Sequence, residues 1–147
     1  MPALLRRPIA ARLRRRGEEA QARQANAAAA LSYAAAGAWE PGDRKLALAE
    51  GDALRHAGEP EAAARAYQRA IRLAPDEPHP HFMLALARLD SGDRAAALWA
   101  LRRAQSLAPD DSAIQREIQR LSTETGPMPT QEVRRVFKFP FEEPDLV

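Results

Sequence analysis

The chain's 147 residues suffice for one modest domain, and 46% are hydrophobic while only 5% are aromatic, a balance that suits thin, alanine-rich helices packed closely. The absence of cysteine excludes disulfides, thiolate catalysis and Cys-ligated metal sites, and no apolar run approaches the ~18–20 residues of a membrane span. Charge is unevenly placed. Met1–Arg16 holds six arginines and no acid, so removing those six from the net +2 leaves the remainder at −4, and the basic character belongs to an N-terminal arm.

In chain order, the arm at 1–9 contains Pro2 and Pro8, which oppose a helix through that span. From Ala10 to Ala36 there is no proline and alanine dominates, so helix is the local preference, with Gly37 as its stop. Next comes a helix from about Arg44 to Ala57, a turn at Gly58, and a helix from Pro60 to Leu73. Pro60 fits the first turn, where its missing donor costs little. Pro78 and Pro80 then precede a helix from about His81 to Asp90. Ser91-Gly92 turns into a helix from Asp93 to Leu107, with Asp93 as its cap.

These segments are one unit written twice. Arg44–Glu77 laid over Pro78–Asp111 repeats its residue types at about 34 residues, a helix–turn–helix solenoid period. Gly58 meets Gly92, Ala63 meets Ala97, Tyr67 meets Leu101, Ala70 meets Ala104, Leu73 meets Leu107 and Pro75 meets Pro109. Stepping back one period sets Gly17 under Gly51, Ala29 under Ala63, Tyr33 under Tyr67 and Pro41 under Pro75. This makes 10–43 a degenerate first repeat. At its turn Gln24-Ala25-Asn26 stands where later copies have glycine, so Ala10–Ala36 has two readings, a hairpin with Asn26 capping the second helix or one long helix. The register favours the hairpin. The predicted fold is all-α, an α-solenoid of antiparallel helix pairs with repeats at 10–43, 44–77 and 78–111. Asp111 or Ser112 caps a closing helix at 112–122, whose Ile114, Ile118 and Leu121 cover the end of the stack.

The segment 123–147 is different in kind. Gly126-Pro127-Met128-Pro129 forbids helix. Val133, Arg134, Val136, Phe137, Phe139 and Phe141 then form an extended aromatic and basic motif ahead of Glu142, Glu143 and Asp145, a partner-docking tail able to add to a sheet edge. A second reading lets Phe137, Phe139 and Phe141 fill the chain's own groove.

At Gly51, Ala63, Tyr67, Ala70 and Pro75, and again at Ala85, Ala97, Leu101, Ala104 and Pro109, the chain resembles the tetratricopeptide repeat family. Ala47 and His81 depart from it where a tryptophan or large apolar residue is usual, and Arg88 replaces a common aromatic. The resemblance implies a non-catalytic scaffold or adaptor whose first helices line a concave groove. By position that groove presents Lys45, Leu48, Asp52, Arg55 and His56 from the second repeat, and His79, Phe82, Leu86 and Leu89 from the third. The family's carboxylate clamp needs lysine and asparagine where this chain has Leu48, Asp52, Phe82 and Leu86, so a hydrophobic or aromatic segment is the expected ligand. The plainer reading leaves Phe82, Leu86 and Leu89 packed against neighbouring helices.

Chemistry has little support in the sequence. No glycine-rich phosphate loop and no His-Glu-x-x-His is present, and nothing proposes a triad. His79 and His81 with Glu77 would be a poor metal set, since Pro80 stiffens them. No enzyme, cofactor or metal is therefore expected. The arginine arm has the composition of an import presequence, the charge to meet an anionic membrane surface, or the character of a basic face for an acidic partner subunit. No aromatics interleave with it, which argues against nucleic acid. The expected partners are proteins, as subunits of a larger assembly, bound through the groove and the termini; the alternative is an architectural accessory subunit held by its two ends. A bacterial cytoplasmic location, with the chain peripheral to a membrane complex as the variant, is the expectation from composition.

Overall fold

The computed structural model describes residues 3–125, and the tail residues Val133, Arg134, Val136, Phe137, Phe139 and Phe141 lie outside them. A 3-10 turn at Ala3–Leu5 leads into α1 (Arg6–Ala22), α2 (Asn26–Trp39), α3 (Arg44–His56), α4 (Pro60–Leu73), α5 (Pro78–Asp90), α6 (Arg94–Leu107) and α7 (Ser112–Thr125). The described residues contain no strand. Each helix packs chiefly on its neighbours in sequence, as a stack of short hairpins requires.

The hairpin turns share one closure. Gln24, Gly58 and Gly92 all have positive φ, at 59°, 80° and 81°. Behind them the amides of Ala25, Glu59 and Asp93 donate to the carbonyls of Ala20, Leu54 and Arg88 at 2.9, 2.9 and 2.8 Å. This satisfies the last carbonyls of α1, α3 and α5 in the glycine-type stop. The first segment is therefore a hairpin, and Gln24 adopts a conformation that glycine takes freely in the later copies. The turns between repeats also match. The amides of Glu40, Ala74 and Ala108 donate to Ala36, Ala70 and Ala104.

Several boundaries differ from the sequence expectation, each for a local reason. The helix expected to begin at Ala10 begins at Arg6, and Pro8 fits because donors in a first turn have no intrahelical partner. Pro78 and Pro80 likewise sit inside the first turn of α5 and do not precede it. Gly37 does not end α2, which continues to Trp39. Asn26 is the first helical residue and caps nothing; its Nδ2 donates to the His56 carbonyl at 3.5 Å. Asp93 does cap α6, accepting from the Ala96 amide, and Asp111 caps α7 through Ala113 and Ile114. The closing helix runs to Thr125, past Leu121.

Close approach within a repeat depends on residue size. In the second repeat a methyl on Gly51 would lie 2.5 Å from the Tyr67 ring, and in the first a methyl on Gly17 would lie 2.7 Å from Tyr33. Both rings are buried among alanines: Ala63, Ala64 and Leu84 belong to the same cluster as Tyr67, and Ala29, Ala30 and Ala36 to that of Tyr33. Ile114 and Leu121 of α7 are buried in the cluster of the later repeats, with Ile118 packed against it, so the closing helix covers the end of the stack as its apolar stripe predicts.

Candidate functional site

One period relates the first helices α1, α3 and α5, so equivalent positions form columns. The first column is Ala11, Lys45 and His79; the second Arg14, Leu48 and Phe82; the third Glu18, Asp52 and Leu86; the fourth Gln21, Arg55 and Leu89. Read along the stack, this face changes from ionic in α1 to apolar in α5.

At the α1 end a groove of about 540 Å³ lies between α1 and α3, lined by Ala11, Arg14, Arg15, Glu18, Tyr33, Lys45, Leu46 and Ala49. Lys45 and Arg14 are exposed, while Arg15 meets Glu19 at 3.2 Å. Leu46 is buried and forms part of the floor. Of the sequence-predicted residues, only Lys45 lines this groove. The α1 residues would have been found by carrying the Lys45, Leu48 and Asp52 positions back one period, to Ala11, Arg14 and Glu18.

The middle of the face is tied up by ionic and hydrogen-bonded pairs. Tyr67 donates its hydroxyl to Asp52 Oδ1 at 2.6 Å. Burial, then this bond, raises the phenol well above its ordinary range, so it remains a donor at any physiological pH. Asp52 is thus committed to the repeat's own packing. His56 Nδ1 contacts the Asp52 carbonyl at 2.8 Å, with the ring exposed. Arg55 Nε pairs with Asp90 Oδ2 at 3.3 Å, joining α3 to α5, and its buried Nη1 has no partner among the described residues. In the first repeat Tyr33 donates to Gln21 Oε1 at 2.8 Å.

At the α5 end Leu48, Phe82 and Leu89 are half-buried and packed against the core, and Leu86 is half-buried beside them. Leu48, Phe82 and Leu89 thus pack against the core, as the plainer reading has it, while these four residues all keep part of their surface open. His79 is exposed, whereas His81 is buried, with Nε2–H donating to the Pro75 carbonyl at 3.0 Å. The two imidazoles are not in the same environment, and His81 is occupied in holding its turn. Gln115, one period on, donates to Pro109 O at 2.7 Å in the same way.

The sequence profile of the tetratricopeptide repeat matches residues 45–77. The match spans the α3–α4 hairpin and the turn that follows. Residues 45–77 thus carry one tetratricopeptide repeat, and the described helices share the fold of tetratricopeptide-repeat domains. This fold is shared with the Sgt2 tetratricopeptide-repeat domain from Aspergillus fumigatus, at 22% identity over 95% of this chain and 91% of that one, with a TM-score of 0.70. It is also shared with the first such domain of Spaghetti (RPAP3), solved bound to the HSP90 peptide SRMEEVD. That match has 16% identity over 80% of this chain and 93% of that one, with a TM-score of 0.72. A third likeness is to the Yersinia enterocolitica type III secretion chaperone SycD in complex with a peptide of the translocator YopD, at 20% identity over 76% and 86% of the two chains and a TM-score of 0.65. A comparison with curated protein sequences finds no match. No described helix is long and apolar enough to cross a membrane.

Proposed function

We propose that this protein is a non-catalytic interaction module whose first-helix face holds a segment of a partner protein. The observation that carries the reading is the first-helix face, which has an open groove at α1 and α3 lined in part by Arg14, Arg15, Glu18 and Lys45, and the half-buried Leu48, Phe82, Leu86 and Leu89 at the equivalent positions further along the stack. Such a surface recognises a ligand by apolar anchors at one end and charge at the other. The peptide complexes of the Spaghetti and SycD folds support use of the fold in this way. The ligand class differs from that of a carboxylate clamp, because Leu48, Phe82 and Leu86 offer no donors and Asp52 is engaged by Tyr67.

Affinity capture with the intact chain, followed by identification of what binds, tests the reading. Leu86→Asp puts a charge on the apolar half without disturbing a fully buried position, and is expected to reduce capture of a specific partner at least about tenfold. Capture unchanged in Leu86→Asp but lost on removing the arginine arm would overturn the groove reading in favour of an accessory subunit held by its ends.

A further inference from the structure

We infer that the resting occupant of the groove is the chain's own segment 137–145, laid along the first-helix face from α5 toward α1. The inference rests on the groove reading above in using the same face, but it names a ligand that the chain itself supplies. Three independent features of the segment match the surface.

The first is chemical. Phe137, Phe139 and Phe141 alternate with Lys138 and Pro140, so in an extended segment the three rings share one side. That side suits Phe82, Leu86 and Leu89, the half-buried apolar residues of α5. The second is charge. Glu142, Glu143 and Asp145 follow the rings directly, and the groove at the far end carries the exposed Arg14 and Lys45, with Arg15 paired to Glu19, against the single lining acid Glu18.

The third is order. The described chain ends on α7, the helix packed on α6 beyond the third repeat. A segment returning from there meets the apolar third repeat before the basic first one, and the sequence places its aromatics before its acids. A reversed arrangement in either the surface or the segment would have set rings on arginines and acids on leucines. Length also permits it. The twelve residues from Thr125 to Phe137 span at most about 40 Å, enough to pass from the cap to α5. The six from Phe139 to Asp145 span about 20 Å, close to two helix spacings of roughly 10 Å each. The chain then holds its groove closed until a partner with a better segment displaces the tail, and the cost of displacement sets a threshold for binding.

Limited trypsin digestion of the full chain, followed by mass analysis, tests this, since Arg134, Arg135 and Lys138 place cleavable bonds in and beside the segment. The wild-type chain is expected to be cut at these sites about tenfold more slowly than Phe139→Ala or Arg14→Glu/Lys45→Glu, because cleavage tracks the undocked population. Phe139→Ala changes no residue of the described helices, so it remains informative if the groove variant unfolds. Equal cutting in wild type and Phe139→Ala would overturn the inference. So would protection that strengthens with protein concentration, which would mean exchange of tails between two copies. Loss of protection in Phe139→Ala alongside unchanged partner capture by Leu86→Asp would leave the tail docked and sink only the partner reading.

Discussion

In the first two repeats a tyrosine ring lies against a bare glycine, Tyr33 on Gly17 and Tyr67 on Gly51, whereas in the third Leu101 and Ala85 occupy the same two positions. Both members of the third pair are fully buried, so the helices of that pair also meet closely. The difference shows that the repeat fixes the combined bulk of the pair and leaves open how it is divided. It also has a chemical consequence. A tyrosine brings a hydroxyl that reaches the first-helix face and fastens Asp52 or Gln21, while a leucine brings none, and in the third repeat the position equivalent to Asp52 is the apolar Leu86. The pairing inside the repeat and the polarity of the groove therefore change together along the stack.

The largest expected effect follows from breaking the glycine side of this pairing. Gly51→Ala should destabilise the chain by about 2–3 kcal/mol in urea unfolding, since a methyl 2.5 Å from the buried Tyr67 ring has nowhere to go. If bulk is what the pair conserves, Tyr67→Leu should cost less in the Gly51→Ala background than in the wild-type chain, since the loss of its bond to Asp52 is common to both and only the double variant recreates the third repeat's packing. A double-mutant cycle showing simple additivity would refute the idea. Next in size is the hydroxyl. Tyr67→Phe should cost about 2 kcal/mol, because it leaves a part-buried carboxylate short of its donor, and Tyr33→Phe only about 1 kcal/mol, because Gln21 is exposed and neutral.

The sequence made the hairpin stack legible because the residues that set its period are buried or conformationally special. Gly58 and Gly92 take positive φ, Ala63 and Ala97 lie under close helix contacts, and Pro75 and Pro109 follow the second helices. Where a position is exposed the period carries no constraint. On the outer side α4 has Glu61, Arg65, Arg69 and Arg72, while the matching residues of α2 are Ala27, Leu31, Ala35 and Ala38, and Leu31 is 74% exposed. The α1 half of the groove was missed for a related reason, as Arg14 and Glu18 share positions but not residue types with Leu48 and Asp52. Proline misled the boundary reading at Pro8 and Pro78 because a single sequence does not distinguish a residue before a helix from one in its first turn.

A smaller effect separates the third repeat from the other two by pH. Burial first, and Arg103 after it, lowers the His81 pKa below its ordinary value of 6.5, outweighing the Pro75 hydrogen bond and Asp76, which act in the opposite direction. The folded imidazole is neutral, with its proton on Nε2. Above 6.5 neither folded nor unfolded chains bind the extra proton, and the histidine's contribution is intact. Below it the unfolded chain takes up a proton that the folded chain resists, so stability falls as pH drops through this range. His81→Gln retains a donor for the Pro75 carbonyl, as Gln115 does for Pro109, and should flatten that part of the stability profile measured from pH 7.5 to 5. An unchanged slope would show that other groups set it.

The smallest effects concern the backbone of the first repeat and include the substitutions expected to stabilise. Gln24 holds φ at 59° where Gly58 and Gly92 hold 80° and 81°. A residue with a Cβ gives up roughly 1–2 kcal/mol in that conformation, and glycine's larger unfolded-state entropy takes back roughly 0.5–1 kcal/mol. Gln24→Gly should therefore raise stability by about 0.5–1 kcal/mol, and Gly58→Ala should lower it by a similar amount. Gly37 supplies the internal reference. It lies within α2 with open space around its Cα and no positive φ, so Gly37→Ala should stabilise by about 0.5–1 kcal/mol through helix propensity alone. If glycine helps at 24 and alanine helps at 37, within one repeat and at similar size, backbone conformation sets the sign at each site. If both substitutions prove neutral, the first hairpin opens independently of the rest of the stack and its strain is relieved before the core unfolds.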